Sequence, residues 1–165
     1  MTRAHASFAD EEALDLLEAN KDKHFVAPGL AWLIRISNHA GEWGITPEKA
    51  RGMGYHRELE IAIETAKKMK RRGIRVLPGG DYGFAWTPHG TYAKDLEYFV
   101  DLLGFTPMEV LVAATKLGGE IMGSPGELGQ VKEGYLAERF LVDGDRLSNI
   151  KILQDKKRIL SVMKD

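Results

Sequence analysis

Hydrophobic and polar positions fall into blocks along this chain, and their spacing switches between the helical and the strand period. The clearest block runs from His56 to Arg72. Leu59, Ala62, Ile63, Ala66 and Met69 follow i, i+3, i+4, i+7 and i+10, the apolar stripe of an amphipathic helix. Basic residues from Lys67 to Arg72 crowd its last turns, where positive charge suits the helix dipole, and Gly73 is a stop. A second helix is predicted over Lys94 to Leu103, with Leu96, Phe99, Val100 and Leu103 on one side and Gly104 at its end. Thr106-Pro107-Met108-Glu109 reads as a capping box with proline at the first helical position, opening a helix that ends near Gly118-Gly119. Near the start, Arg3 to Ala6 reads as the end of a strand. Ser7 and Asp10 form a start signal for a helix within Glu11 to Asn20, and His24 to Ala27 reads as a strand stopped by Pro28-Gly29. Strand, helix, strand is the rhythm of a parallel α/β protein.

Residues 30 to 54 mix Trp32, Ile34, Trp43 and Ile45 with Asn38, His39 and Gly41 without a clean period. They read as a long loop with a short helical piece, the kind of insertion that covers a binding site, and Thr46-Pro47 could start a short helix. Ile74 to Leu77 reads as a buried strand, and Pro78, Gly79 and Gly80 then turn the backbone sharply. Asp81 follows at once. An acid on a glycine-rich loop at the carboxyl end of a strand sits where α/β proteins place their chemistry, although Asp also caps ordinary turns. Beyond residue 125 the helical period disappears. Arg139 to Val142, Ile150 to Leu153 and Ile159 to Met163 are short apolar runs between glycine turns, and the tail reads as β-structure in a second, smaller sheet.

Composition narrows the classes. The 165 residues suit one average domain, or a piece of a larger one, and 44% hydrophobic with 28% charged residues is ordinary for a packed soluble chain. A formal net charge of −1 argues against holding nucleic acid by bulk electrostatics, so the basic helix end reads as a solvated terminus. No apolar run approaches the roughly 20 residues that span a membrane, and the N-terminus lacks the core of a secretion signal. Cysteine is absent, which removes disulfides and thiolate chemistry and leaves His, Asp and Glu as possible metal ligands. A cytoplasmic protein is expected.

Several motifs, in order, carry a resemblance. They are Ala4-His5-Ala6 with the acidic helix start after it, His24-Phe-Val-Ala-Pro28, and Gly73-Ile-Arg-Val-Leu-Pro-Gly-Gly-Asp81. Pro88-His89-Gly90, Gly104-Phe-Thr-Pro-Met-Glu-Val-Leu-Val-Ala-Ala-Thr115 and Leu128-Gly-Gln-Val-Lys-Glu-Gly-Tyr-Leu-Ala-Glu-Arg-Phe-Leu-Val-Asp143 follow. Together they resemble the carboxyl-terminal part of the amidohydrolase superfamily, more narrowly its imidazolonepropionase-like and dipeptidase-like metal-dependent hydrolases. Gly80 stands where that pattern usually has Thr.

The resemblance implies an α/β fold in which residues 1–125 are the last strands and helices of a (β/α)8 TIM-type barrel. Residues 126–165 would be part of a flanking β-sandwich. It implies a divalent metal, Zn2+ before others, with His5 as the sixth-strand ligand and Asp81 as the eighth-strand acid that binds metal and shuttles a proton. A metal-bound hydroxide would attack an amide or cyclic-amide C–N bond of a small molecule or dipeptide. Tyr82, Trp86 and His89 are placed to line the substrate. The family's first-strand H-x-H pair, fourth-strand Lys or Glu and fifth-strand His would all precede His5. The expectation is therefore a fragment whose site other residues complete, in a protein expected to form homo-oligomers. The alternative is a non-catalytic half-barrel that self-associates through its open strand edges.

Overall fold

The fold, given by a computed structural model, is described here for residues 2–164. Three parallel segments lie side by side at its centre. β1 (Thr2–Ala4) pairs in register with β2 (His24–Val26), Thr2 opposite His24 and Ala4 opposite Val26. On the other side of β2, Val26 bridges Val76: the Val26 N–H donates to the Arg75 carbonyl (2.9 Å) and the Leu77 N–H to the Val26 carbonyl (3.0 Å). The expected strand at Ile74–Leu77 is thus a single bridge, although Ile74, Val76 and Leu77 are all buried as predicted. Arg75 clamps the segment to β2, with its Nε donating to the Lys21 and His24 carbonyls and its guanidinium lying over the Phe25 ring.

Helices fill the connections. α1 (Glu11–Ala19) starts at Asp10, whose carboxylate accepts from the Ala13 N–H; Asp10 is itself the cap, not the partner of Ser7. α2 (Leu30–Asn38) overturns the expected loop: Leu30, Leu33, Ile36 and Ser37 are buried along it. Its period was obscured because Trp32 and Ile34 are half-buried too. The helix lies between the helices at residues 55–71 and 93–103 and is apolar over most of its surface. α3 (Pro47–Gly52) is capped by Thr46 with proline in its first turn, as the sequence indicates.

α4 (Tyr55–Arg71) buries Ala62, Ala66 and Met69 from the predicted stripe. α5 (Ala93–Leu103) ends at Gly104 in the left-handed region (φ 70°), and α6 (Pro107–Ala114) carries the full capping box between Thr106 and Glu109. The expected single helix to Gly118 breaks at Thr115, after which α7 (Lys116–Ile121) begins. Gly119 and Gly129 let the next segment dock there. A Cβ on Gly119 would meet the Leu128 carbonyl, and one on Gly129 the Thr115 carbonyl.

In the tail, β3 (Arg139–Val142) pairs antiparallel with β4 (Ile159–Met163), the two runs foreseen as strands. The third run is not a strand. Residues Ile150–Gln154 form a 3₁₀ turn started by the Asn149 side chain, because spacing Ile150, Ile152 and Leu153 around a turn buries all three against α5. One main core joins these residues to β2, α2, α4, α5 and α6. No helix of the described residues is long and apolar enough to cross a membrane.

Candidate active site

The loops that leave the three parallel segments at their carboxyl ends meet in one place. His5 follows β1, Gly29 follows β2, and Asp81 follows the Val76 segment. His5 Nδ1 lies 3.6 Å from Asp81 Oδ2, with the histidine side chain about half exposed and the aspartate about one-third exposed. That gap is too long for a sound hydrogen bond and short enough for both atoms to reach one ion. Gly29 keeps the space beside the pair clear, since a Cβ there would lie 3.4 Å from both Asp81 Oδ2 and His5 Nδ1. Gly80 is pressed on Gly29 in turn: its Cβ would sit 3.2 Å from the Gly29 Cα.

Backbone conformation singles out the same spot. Among the described residues only Ala6 (φ 54°) and Asp81 (φ 55°) are non-glycine residues in the left-handed region. One adjoins His5 and the other is the acid itself. Such conformations cost on the order of 1 kcal/mol or more each and persist only where the surroundings impose them.

Local hydrogen bonds impose the conformation of Asp81. Thr87, buried, donates its Oγ1–H to the Asp81 carbonyl (2.8 Å), and the Gly83 N–H donates to the Thr87 carbonyl (2.9 Å), closing a tight turn at Phe84–Thr87. Beneath the loop lies Asp95, on α5 and only 1% exposed. It accepts from the Ala31 N–H (3.2 Å) and the Tyr82 hydroxyl (2.9 Å). Burial pushes the Asp95 carboxyl up to about 6 against the pull of these donors, and burial together with Asp95 pushes the Tyr82 hydroxyl up as well.

The three residues expected to line a substrate take different places. Tyr82 is half-buried with its hydroxyl committed to Asp95 and its ring edge-on to Tyr92. Trp86 is half-buried in a cluster with Phe84, Trp43 and Trp32, and Arg35 Nε donates to its carbonyl (3.0 Å). Phe84 and Trp43 are partly exposed, so this cluster offers an apolar wall beside the turn that carries Asp81. His89 is exposed, 2.7 Å from the Tyr92 hydroxyl, and lines a cavity of about 450 Å³ with Arg35, Thr87, Lys94 and Tyr98. Neither His5 nor Asp81 lines that cavity. The acid–imidazole pair, not that cavity, is where the strained backbone lies.

Two participants escaped the sequence. Asp95 had a visible signal, since an acid precedes Phe99 by one helical turn on the core side of α5. Gly29 had only the look of a strand stop. Imidazole and carboxylate are the donor set of zinc-type ions, and the cleared space at Gly29 fits such an ion in kind. Among the described residues no group of three or more His, Cys, Asp or Glu side chains is placed to hold a metal.

The whole chain, residues 1–165, matches the amidohydrolase family, and the protein belongs to that family. It is similar to ochratoxinase of Aspergillus niger, at 27% identity over 161 residues that cover 97% of this chain and 32% of that protein. Among solved structures it resembles a Xaa-Pro dipeptidase with bound methionine (TM-score 0.80, 24% identity, 98% of this chain and 37% of that one). It also resembles a prolidase complexed with N-methylphosphonate-L-proline (TM-score 0.82, 24% identity, 98% and 38%). These structural likenesses speak for a shared mixed α/β fold. The chain spans about a third of the length of the relatives it matches.

Proposed function

We propose that this chain is the carboxyl-terminal part of a metal-dependent hydrolase that cleaves an amide or cyclic-amide C–N bond. The observation that carries the reading is the approach of His5 Nδ1 to Asp81 Oδ2, 3.6 Å apart, from the ends of two parallel segments that flank β2. Residues 1–125 then supply the last strands and helices of a (β/α)8 barrel, and residues 126–165 part of a small β-sandwich. The order of the three parallel segments, each followed by helix, supports the first assignment. A cytoplasmic location is part of the same proposal.

His5 and Asp81 would hold a divalent ion, Zn2+ foremost, as two members of a ligand set. A catalytic zinc normally takes three protein ligands. When bound, such an ion polarises a carbonyl and lowers the pKa of water toward neutrality. Asp81, with Oδ2 turned to the ion, would take a proton from the attacking water on its other carboxylate oxygen and deliver it to the leaving nitrogen. Trp86, with Phe84 and Trp43, excludes water on one side and meets an apolar portion of the substrate. Relatives named for dipeptides and ochratoxin support a small amide or dipeptide substrate. Purified protein should carry a divalent ion that both His5→Ala and Asp81→Ala remove; metal content unchanged in both variants would overturn the assignment.

One observation favours the second reading, self-association without catalysis: Phe140, Leu160 and Val162 on the β3–β4 pair are more than half exposed. Sedimentation velocity separates the two. A metal-free assembly that F140E and V162E reduce to monomers would support it.

A further inference from the structure

Asp95 has no part in the reading above, yet it is bonded to residues beside both members of the His5–Asp81 site. Its Oδ1 accepts from Ala31, two residues beyond the Gly29 that fits against the His5–Asp81 pair. Its Oδ2 accepts from the hydroxyl of Tyr82, the residue after Asp81. A single side chain on a helix thus ties the loop next to a strained residue to the turn that carries Gly29. Packing alone gives no reason for this choice. The position lies in the apolar core, where an unpaired carboxylate is costly and a leucine would leave the two donors unsatisfied.

We infer that Asp95 is a positioning residue: its carboxylate anchors Tyr82 and the start of α2 so that Asp81 keeps its left-handed backbone and faces His5. Asp81 matters here as the working acid of the proposed reaction, whereas the restraint itself can be measured without metal or substrate. Without the anchor the loop is free to relax toward ordinary backbone angles, carrying the Asp81 carboxylate away from the imidazole. Thr87 would then be the remaining side-chain bond to Asp81.

The test compares the His5 ring nitrogen resonances in wild-type protein and in D81N, D95A, D95N and Y82F, all without added metal. D81N reports what the His5 signals become when the facing charge is gone. D95A is expected to move them the same way, with D95N and Y82F moving them less. Amide exchange at Ala31, which donates to Asp95, should accelerate about tenfold as loss of one hydrogen bond implies, and at Gly83 in the Asp81 loop it should accelerate too, while α4 keeps its protection. D95N and Y82F preserve shape, so they decide the matter even if D95A fails to fold. If they leave the His5 signals and loop exchange at wild-type values while the melting temperature falls, Asp95 serves the fold alone. His5 signals that do not respond to D81N would instead refute the His5–Asp81 pair on which the proposed function stands.

Discussion

Two stretches of this chain are poor in helix, the glycine-rich loop from Pro78 to Tyr92 and the tail from Gly126 onward, and they are ordered by different means. The loop is pinned by polar bonds to buried and half-buried partners: Thr87 on the Asp81 carbonyl, Asp95 under Tyr82, and Arg35 on the Trp86 carbonyl. The tail is held by backbone pairing of β3 with β4 and by Ile150, Ile152 and Leu153 set into the core. Several of its other large apolar side chains face outward, among them Val131 at 83% and Val162 at 72% exposed. Glycine content therefore says little about rigidity. What decides it is whether each freed backbone group finds a buried partner.

The comparison can be broken most severely at the shared core. Phe99 is fully buried in α5, above the tail's 3₁₀ turn and beside Phe105, so Phe99→Ala should cost about 3–5 kcal/mol in urea unfolding. Both stretches should loosen together in amide exchange.

The next effect belongs to the loop and depends on pH. Asp95 holds its proton up to about 6 in the folded chain against 3.8 as the ordinary value. Between those values the folded state keeps a proton that the unfolded state releases. Its contribution is therefore complete below about pH 4 and is lost as pH rises through about 6, to the extent of about 3 kcal/mol. Asn stays neutral, so the stability of D95N relative to wild type should climb over that window; a flat difference in urea titrations would contradict the buried acid.

Smaller again is Gly80→Ala, at about 1–3 kcal/mol, because the backbone there (φ 111°) is one that side chains rarely adopt and the Cβ would press on Gly29. Thermal unfolding should register it. In the tail, Val162→Thr should change stability by less than about 0.5 kcal/mol, since the side chain is already in water.

The same contrast explains what could be read from the sequence. α4, α5 and the capping box of α6 announced themselves because each buries one stripe and exposes the rest. α2 was hidden because it is enclosed between helices, which erases the stripe, and because Gly29 at its start offers no capping side chain. Ile150–Leu153 looked like a strand because an apolar run of that length has no period of its own. At the candidate site His5 and Asp81 were visible as chemistry-bearing residues at strand ends. The anchoring role of Asp95 comes from a contact distant in the chain, Asp95 to Ala31 being 64 residues, and no local pattern encodes it.

The most direct measurement is divalent metal content and zinc affinity of the purified protein, compared with His5→Ala, Asp81→Asn and a control at the exposed His39. If the imidazole and the carboxylate share an ion, bound zinc is lost in the first two variants and kept in the third. Equal zinc binding in all four proteins would contradict the account at its centre.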